Sequence, residues 1–249
     1  MTRRRWIADD FKGQRAFLTG ANAEHLARVL RARPGQEFEI VAGENVFLGR
    51  IATISNQQVE FDLLGEVQHT ATSAASPVHL YLAIFKFDRM EWAIEKGTEL
   101  GVAGIVPIVA RRSDAHLVAA AGKRVERWRR IAQEAAQQSR RSAAPEIQAP
   151  VKFNAAVQAS EGCRIVLSEY EKRIPLITAL HATRPAQPVS LAIGPEGGWS
   201  EEELAGFSSA GWSAASLGPN ILRAETACIA ALAIVNGVLA EISAPPARD

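Results

Sequence analysis

Residues 189–227 constrain what this chain can fold into more than any other stretch. Val189-Ser190-Leu191-Ala192-Ile193 is a nearly unbroken apolar run of strand length, and it passes without a linker into Gly194-Pro195-Glu196-Gly197-Gly198-Trp199-Ser200. Glycine at 194, 197 and 198 strips side chains from a turn, so that a ligand can approach the main-chain N–H groups. Ser200 with Glu203 makes an S-x-x-E capping box, which opens a helix. A second unit of the same kind follows at once. Ser213 to Leu217 is strand-like, Gly218-Pro219-Asn220 turns, and Ile221-Leu222-Arg223-Ala224-Glu225-Thr226-Ala227 enters a helix that stays apolar to Leu239. In an open parallel sheet, ligands sit beyond the carboxyl ends of the strands, so two such turns in succession form the default pocket. The chain has no G-x-G-x-x-G turn after a strand and no G-x-x-x-x-G-K-S/T loop, which argues against a Rossmann dinucleotide site and a P-loop.

Upstream of this stretch, strand and helix alternate in the manner of a parallel α/β sheet. Val78 to Phe85 reads as a buried strand, and Asp88 with Glu91 repeats the capping-box spacing ahead of a helix that Gly101 is placed to end. Val102 to Val109 is the next strand, interrupted at Pro107, and Ile165 to Glu169 is a further one whose end, Leu167 to Glu169, is expected to border the ligand turns. Lys123 to Arg141 has helical spacing, with Val125, Trp128, Ala132, Ala135 and Ser139 as a core stripe and Lys123, Arg127, Arg130, Gln137 and Arg141 on a basic side.

The first 64 residues follow another rule. Trp6-Ile7, Arg15 to Leu18, Phe38 to Val41, Phe47 to Ile51 and Val59 to Leu63 read as short strands, with a hairpin around Gly43-Glu44-Asn45. Asn22 is positioned to cap a short helix over 24–31, which Pro34-Gly35 breaks. Residues 66–77 are small and polar, which places a linker there and divides the chain into a β-rich domain at 1–72 and an α/β domain at 73–249. A chain of 249 residues can bury both cores.

Net charge is only +1, but its distribution is uneven. Residues 1–35 carry eight Lys or Arg against three acids, residues 111–141 nine against three, and residues 201–249 two against six. A segregated field of this kind can steer a polyanion. The five histidines are scattered, and Cys163 and Cys228 have no partner at ligand spacing, so no metal site and two buried reduced thiols are expected. Thr226 and Asn236 interrupt the late apolar helix, which reads as core and not as a membrane span. Arg3-Arg4-Arg5 is not followed by an apolar segment of the secretory kind, so a cytoplasmic protein is expected.

Ile193-Gly194-Pro195-Glu196-Gly197-Gly198 followed by Leu217-Gly218-Pro219-Asn220-Ile221-Leu222-Arg223-Ala224-Glu225-Thr226-Ala227 resembles the C-terminal signature of the SPOUT-class methyltransferases that modify uridine N3 in 16S ribosomal RNA. Lys86-Phe87-Asp88-Arg89-Met90-Glu91-Trp92, Lys96 to Val102, Arg112-Ser113 and Glu134 to Ser139 are similar to the same family, with Phe87 where it usually has Gly and Arg111 in place of an acid. His25 to Arg31 with Pro34-Gly35 is similar to its PUA-like N-terminal domain, which contacts RNA. The resemblance implies a parallel-sheet domain whose two glycine turns form halves of a trefoil knot around S-adenosylmethionine, a homodimer, and 16S ribosomal RNA in the assembled small subunit as partner.

On that resemblance the cofactor set comprises Leu167, Ile193, Gly194, Pro195, Glu196, Gly197, Gly198, Leu217, Gly218, Ile221, Leu222 and Thr226. The basic segments and the resemblance together mark Arg3, Arg4, Arg5, Arg31, Lys86, Arg112, Arg127 and Arg141 for RNA contact, against the alternative of solvated charge. Methylation at N3 needs the deprotonated base, whose charge spreads onto its carbonyl oxygens, and a fixed cation there lowers the barrier. Arg223 is the candidate, the alternative being a salt bridge with Glu225 or Glu196. Two other functions fit the same pattern: a SPOUT ribose 2′-O-methyltransferase, disfavoured because Lys86 to Gly101 lacks an Asn-x-x-x-x-Arg segment, and a catalytically silent RNA-binding protein.

Overall fold

The structure is a computed structural model, and it describes residues 5–43, 45–67, 77–160, 162–183 and 188–243. Two compact units divide the chain, Met1–Thr72 with Ala136–Ala144, and Ser73–Ala135 with Pro145–Asp249.

The first unit is a curled six-stranded sheet. Its strands are β1 (Arg5–Ile7), β2 (Asp10–Lys12), β3 (Arg15–Thr19), β4 (Glu37–Ala42), β5 (Asn45–Ile54) and β6 (Gln58–Glu66), in the order β1-β4-β5-β6-β3-β2. Its two edges are joined through one short segment, because the Ala8 N–H donates to Val41 O and the Asp9 N–H to Phe17 O, both at 2.9 Å. Trp6, Leu18, Ile40, Ile51 and Phe61 fill the interior. Gly49 is required where β5 bends over β4, since a Cβ there would lie 2.4 Å from Ile40 Cγ1. Helix α1 (Gly20–Glu24) runs into a wider π turn over His25–Val29. Asn22 therefore lies inside the helix and does not cap it: the chain turns two residues earlier, with the Thr19 N–H held by Asp9 Oδ2 at 2.6 Å and Gly20 at φ +54°. Arg31 ends this segment at φ +50°.

The second unit is an all-parallel sheet. Strands β7 (Val78–Ala83), β8 (Gly104–Val109), β9 (Glu146–Ile147), β10 (Val151–Lys152), β11 (Cys163–Leu167), β12 (Val189–Ile193) and β13 (Ser213–Ala215) take the order β10-β8-β7-β12-β11-β13, with β9 also on β8. Successive side chains alternate between two cores, as both faces of a covered parallel sheet require. Leu80, Leu82, Ile105, Ile165, Leu191 and Ile193 point to one core, and Tyr81, Ala83, Val106, Ile108, Val166 and Ala192 to the other. Pro107 does not interrupt β8. Ile105 O accepts from the Gln148 N–H and Ile108 O from the Ile84 N–H, so alternation turns the Pro107 nitrogen to the flank where β9 has ended and β10 has not begun.

Helix α2 (Phe87–Glu99) starts at Lys86 without a side-chain cap, so Asp88 falls in its first turn as a dipole partner and is not the cap expected from its spacing with Glu91. Gly101, at φ +89°, follows the helix end. Helices α3 (Ala115–Ala121) and α4 (Val125–Gln138) come next, and α4 buries Val125, Trp128, Ala132 and Ala135. Gln137 is buried, not on the basic side. Beyond α5 (Phe153–Ala159), α6 (Leu176–Thr183) and α7 (Glu201–Ser209), the chain ends its described part in α8 (Ala224–Ser243). That helix is long and apolar enough to cross a membrane, but Cys228, Ala231, Leu232, Val235, Val238 and Leu239 are buried in the core, and it packs on α2 and α6. Cys163 is only half-buried, because it begins β11 at the sheet's amino end, whereas Cys228 is fully enclosed.

Candidate active site

The strand order brings the carboxyl ends of β11, β12 and β13 together. Residues after all three line one cavity of about 330 Å³. Apolar surface comes from Leu167, Ile193, Leu217 and Leu222, and polar groups from Arg89, Glu169, Glu196, Asn220 and Arg223. The segment after β13 is threaded beside the loop after β11: Ser216 N–H donates to Ile174 O and Ser216 O accepts from the Leu176 N–H, both at 2.9 Å. Helix α8 starts directly from this wall, so that its N-terminus faces the same region.

The first glycine turn is held rigidly. Ser200 caps α7 by accepting from the Glu203 N–H, and Glu203 closes the box on the Ser200 N–H at 2.9 Å. The other oxygen of Glu203 accepts from the Arg111 N–H at 2.7 Å, and Arg112 donates to Gly197 O at 2.8 Å. Arg111 also ion-pairs with Glu202. Gly198 takes φ +67°, and a Cβ there would lie 2.9 Å from Glu169 Oε1; Gly194 packs flat against the buried Trp199 ring. The Trp199 ring is buried against Phe153 and Phe207 beneath this turn, and its indole N–H has no hydrogen-bond partner among the described residues. A turn stripped of side chains beside apolar lining residues suits a ligand that meets main-chain groups and carries a flat apolar part.

Two arginines line the cavity in different states. Arg89 lies between two carboxylates, with Nη1 3.9 Å from Glu196 and Nε 3.7 Å from the buried Glu225. Arg223 is exposed and makes no ion pair with a described acid, so the alternative salt bridges to Glu196 and Glu225 belong to Arg89. An unpaired guanidinium on a cavity wall is free to meet an anion.

Of the expected cofactor residues, Leu167, Ile193, Gly194, Pro195, Glu196, Gly198, Leu217, Gly218, Ile221 and Leu222 line the cavity. Gly197 does not, because its carbonyl is turned to Arg112 and its Cα faces that side chain. Thr226 does not either: helical phase turns it outward to solvent, while Ala224 and Ala227 face in. Glu169 lines it as the strand end from Leu167 to Glu169 led one to expect, whereas Arg89 and Tyr170 were not expected there. Arg89 stands next to the Asp88 of the α2 start, and its charge at a helix N-terminus, where cations are disfavoured, is the signal that could have marked it.

The arginines marked for RNA separate as well. Arg3 and Arg4 lie outside the described residues. Arg5 is buried, not a solvated tail: it pairs with Glu39 at 3.0 Å and donates to the Arg140 carbonyl. Arg127 is held by both oxygens of Glu91, at 2.6 and 2.8 Å. Arg141 is half-buried, and burial lowers its ordinary pKa. Arg31 and Lys86 are exposed without a described ion pair, and Arg112 is exposed while it holds Gly197. Among the described residues, no group of three or more His, Cys, Asp or Glu could hold a metal ion.

A family model described as an RNA methyltransferase domain matches residues 72–236, and one described as an RNA methyltransferase PUA domain matches residues 18–64. The ribosomal RNA small subunit methyltransferase E of Synechocystis is 34% identical over 89% of this chain and 73% of its own length. The enzyme of the same name from Neisseria gonorrhoeae, solved bound to S-adenosyl methionine, superposes with a TM-score of 0.84 at 28% identity, covering 95% of this chain and 98% of that one. A methyltransferase from Legionella pneumophila in complex with the same cofactor gives 0.81 at 29% identity, over 95% and 98% of the two chains. The parallel-sheet unit with its two glycine turns is thus of the SPOUT type and the curled sheet is PUA-like, and the chain belongs to the RNA methyltransferase family.

Proposed function

We propose that this protein methylates N3 of a uridine in 16S ribosomal RNA, with S-adenosylmethionine as donor. The observation that carries the reading is one cavity lined by both glycine turns and by an unpaired arginine, in a chain of this family. Leu167, Ile193, Leu217 and Leu222 offer apolar contact for the adenine ring, and main-chain groups of the two turns offer hydrogen bonds. Glu169 and Glu196 lie on the same wall and complement a cationic ligand. The bound cofactor supplies a methyl group on a cationic sulfur, which leaves as a neutral thioether.

The chain's own part is to hold the acceptor and to favour loss of its proton. Arg223 stabilises the charge that appears on the uracil carbonyl oxygens when the N3 proton passes to water. No metal enters this chemistry. Arg31, Lys86 and Arg112 are the exposed cations that contact RNA phosphates. The partner is the small ribosomal subunit in the cytoplasm. Two copies pair through the uncovered face of α8, where Ala233 and Gly237 are exposed and Ile229, Ala230 and Ile234 only half-buried. Light scattering at micromolar concentration checks the dimer; a monomer mass refutes it.

Nucleoside mass spectrometry of small-subunit RNA from cells with and without the gene tests the reaction. The expected difference is 3-methyluridine. A 2′-O-methylated nucleoside in its place establishes ribose chemistry, and no difference leaves the protein a silent RNA binder.

A further inference from the structure

Tyr170 is 59% exposed and lines the main cavity. It also lines a second cavity of about 240 Å³, and Ser168 is the other residue common to both. The second cavity is floored by Val166, Leu204 and Trp212 and carries the Ser208 hydroxyl on its wall. Its one carboxylate, Glu171, accepts from the Arg173 and Ile174 N–H groups at 2.6 and 3.1 Å, and these bonds hold its pKa below the usual carboxylate range. Ser168 Oγ accepts from the Tyr170 N–H at 3.2 Å, which leaves the hydroxyl proton to donate elsewhere. Among the described residues no Lys, Arg or His lines this cavity, so it is not built for phosphate.

An enzyme that acts on one base must take it out of its stack and give both ring faces and the ring edge new contacts. An apolar floor, one exposed aromatic ring and two hydroxyls are the groups that an uncharged pyrimidine needs. The shared wall then turns one edge of a bound ring toward the donor cavity. We propose that the second cavity holds the uracil ring of the acceptor nucleotide, stacked on Tyr170, with the Ser208 hydroxyl at the carbonyl inside that cavity and the N3 edge with the other carbonyl turned across Ser168 toward Arg223. This rests on the function proposed above and names the acceptor side of that site.

The test is kinetic. Tyr170→Ala is expected to lower kcat/KM for small-subunit particles by roughly fivefold to 150-fold, the usual worth of one base–aromatic stack, while calorimetry gives an unchanged Kd for S-adenosylmethionine. Tyr170→Phe keeps the ring and is expected to retain wild-type kcat/KM. Wild-type kcat/KM in Tyr170→Ala overturns the proposal. So does an equal loss of cofactor affinity, which would make Tyr170 a wall of the donor site. A second measurement needs no methyl transfer: a uridine trinucleotide should broaden the NMR signals of the wild type and not of Tyr170→Ala, and equal broadening in both overturns the stacking. If the wild type transfers no methyl group while this binding difference persists, the assigned reaction fails and the base subsite stands.

Discussion

Glu203 Oε1 accepts a hydrogen bond from the Arg111 N–H at 2.7 Å, across 92 residues of chain, while its Oε2 accepts from the Ser200 N–H. One buried carboxylate therefore fixes the start of α7, and with it the first glycine turn, to the loop after β8. Glu203→Ala removes a cap contact of about 1 kcal/mol and leaves two N–H donors without partners, at about 1–3 kcal/mol each when buried. The Arg111 N–H is only part-buried, so a loss toward the low end of that sum, roughly 3–5 kcal/mol, is expected in urea unfolding. Glu203→Gln keeps one acceptor and should lose less. An unchanged urea midpoint in Glu203→Ala would remove the carboxylate from this role.

Gly198→Ala should weaken cofactor binding on the order of tenfold, because the new residue is strained at φ +67° and its Cβ pushes aside the flexible Glu169 carboxylate that lines the cavity. Gly218→Ala is the control. It is strained at φ +114°, but its Cβ would enter open space, so it disturbs the turn without displacing another side chain. Calorimetric titration of both variants checks the contrast; equal losses would mean that backbone strain alone is responsible.

Salt dependence separates free arginines from those already paired. Arg31→Ala and Lys86→Ala should each flatten the slope of log K against log salt by roughly one for small-subunit RNA. Arg127→Ala should change it little, since both oxygens of Glu91 already engage that guanidinium. Arg5→Ala should act on stability instead, as it removes the buried Arg5 side of the ion pair with Glu39. Filter binding over a salt series, with urea unfolding of Arg5→Ala, decides the matter. An Arg127→Ala slope as flat as that of Lys86→Ala would contradict it.

Much of the site was legible because it is local. The capping box of Ser200 and Glu203, the helix stop at Gly101 and the two glycine turns are set by residues a few positions apart, and each formed as its spacing required. What spacing could not carry was the crossing of strands. Arg89 reaches the cavity because β7 lies beside β12, more than a hundred residues later in the chain. Phase within a turn decided the rest. Gly197 and Thr226 sit among lining residues in sequence but point to Arg112 and to solvent. Arg5 looked like a free terminal charge because Glu39, its partner, lies on another strand.

Burial pushes the Cys228 thiol up to about 12 from 9.0, and the Cys163 thiol up to a lesser degree. The unfolded chain releases the Cys228 proton near pH 9 and the folded chain does not. This group's contribution is therefore complete below pH 9 and lost between 9 and about 12, with a slope of at most about 1.4 kcal/mol per pH unit. Cys228→Ala should flatten stability against pH in that window. A thiol reagent at neutral pH should modify Cys163 slowly and Cys228 only on unfolding; rapid modification of both would show that the α8 core opens.

Arg223→Ala should cut methyl transfer by roughly a hundredfold to a thousandfold, the usual cost of one preorganised donor to a developing oxyanion. The argument rests on the division of charge in the cavity. Arg89 already faces Glu196 and Glu225, so its positive charge is balanced, whereas Arg223 pairs with no described acid. Cofactor affinity should hold, since apolar side chains and main chain dominate the rest of the wall. Arg89→Ala should behave in the opposite way, weakening the cofactor more than the chemical step, because it frees the two carboxylates and loosens the turn that carries Glu196. Raising the pH should partly rescue Arg223→Ala: more of the uracil is then deprotonated by solvent, which is the state that the guanidinium otherwise favours. Single-turnover transfer of a labelled methyl group to small-subunit particles, run from pH 7 to 9 with both variants, reads each outcome. A wild-type rate in Arg223→Ala, or a loss that does not shrink as pH rises, would assign the stabilisation of N3 to another group.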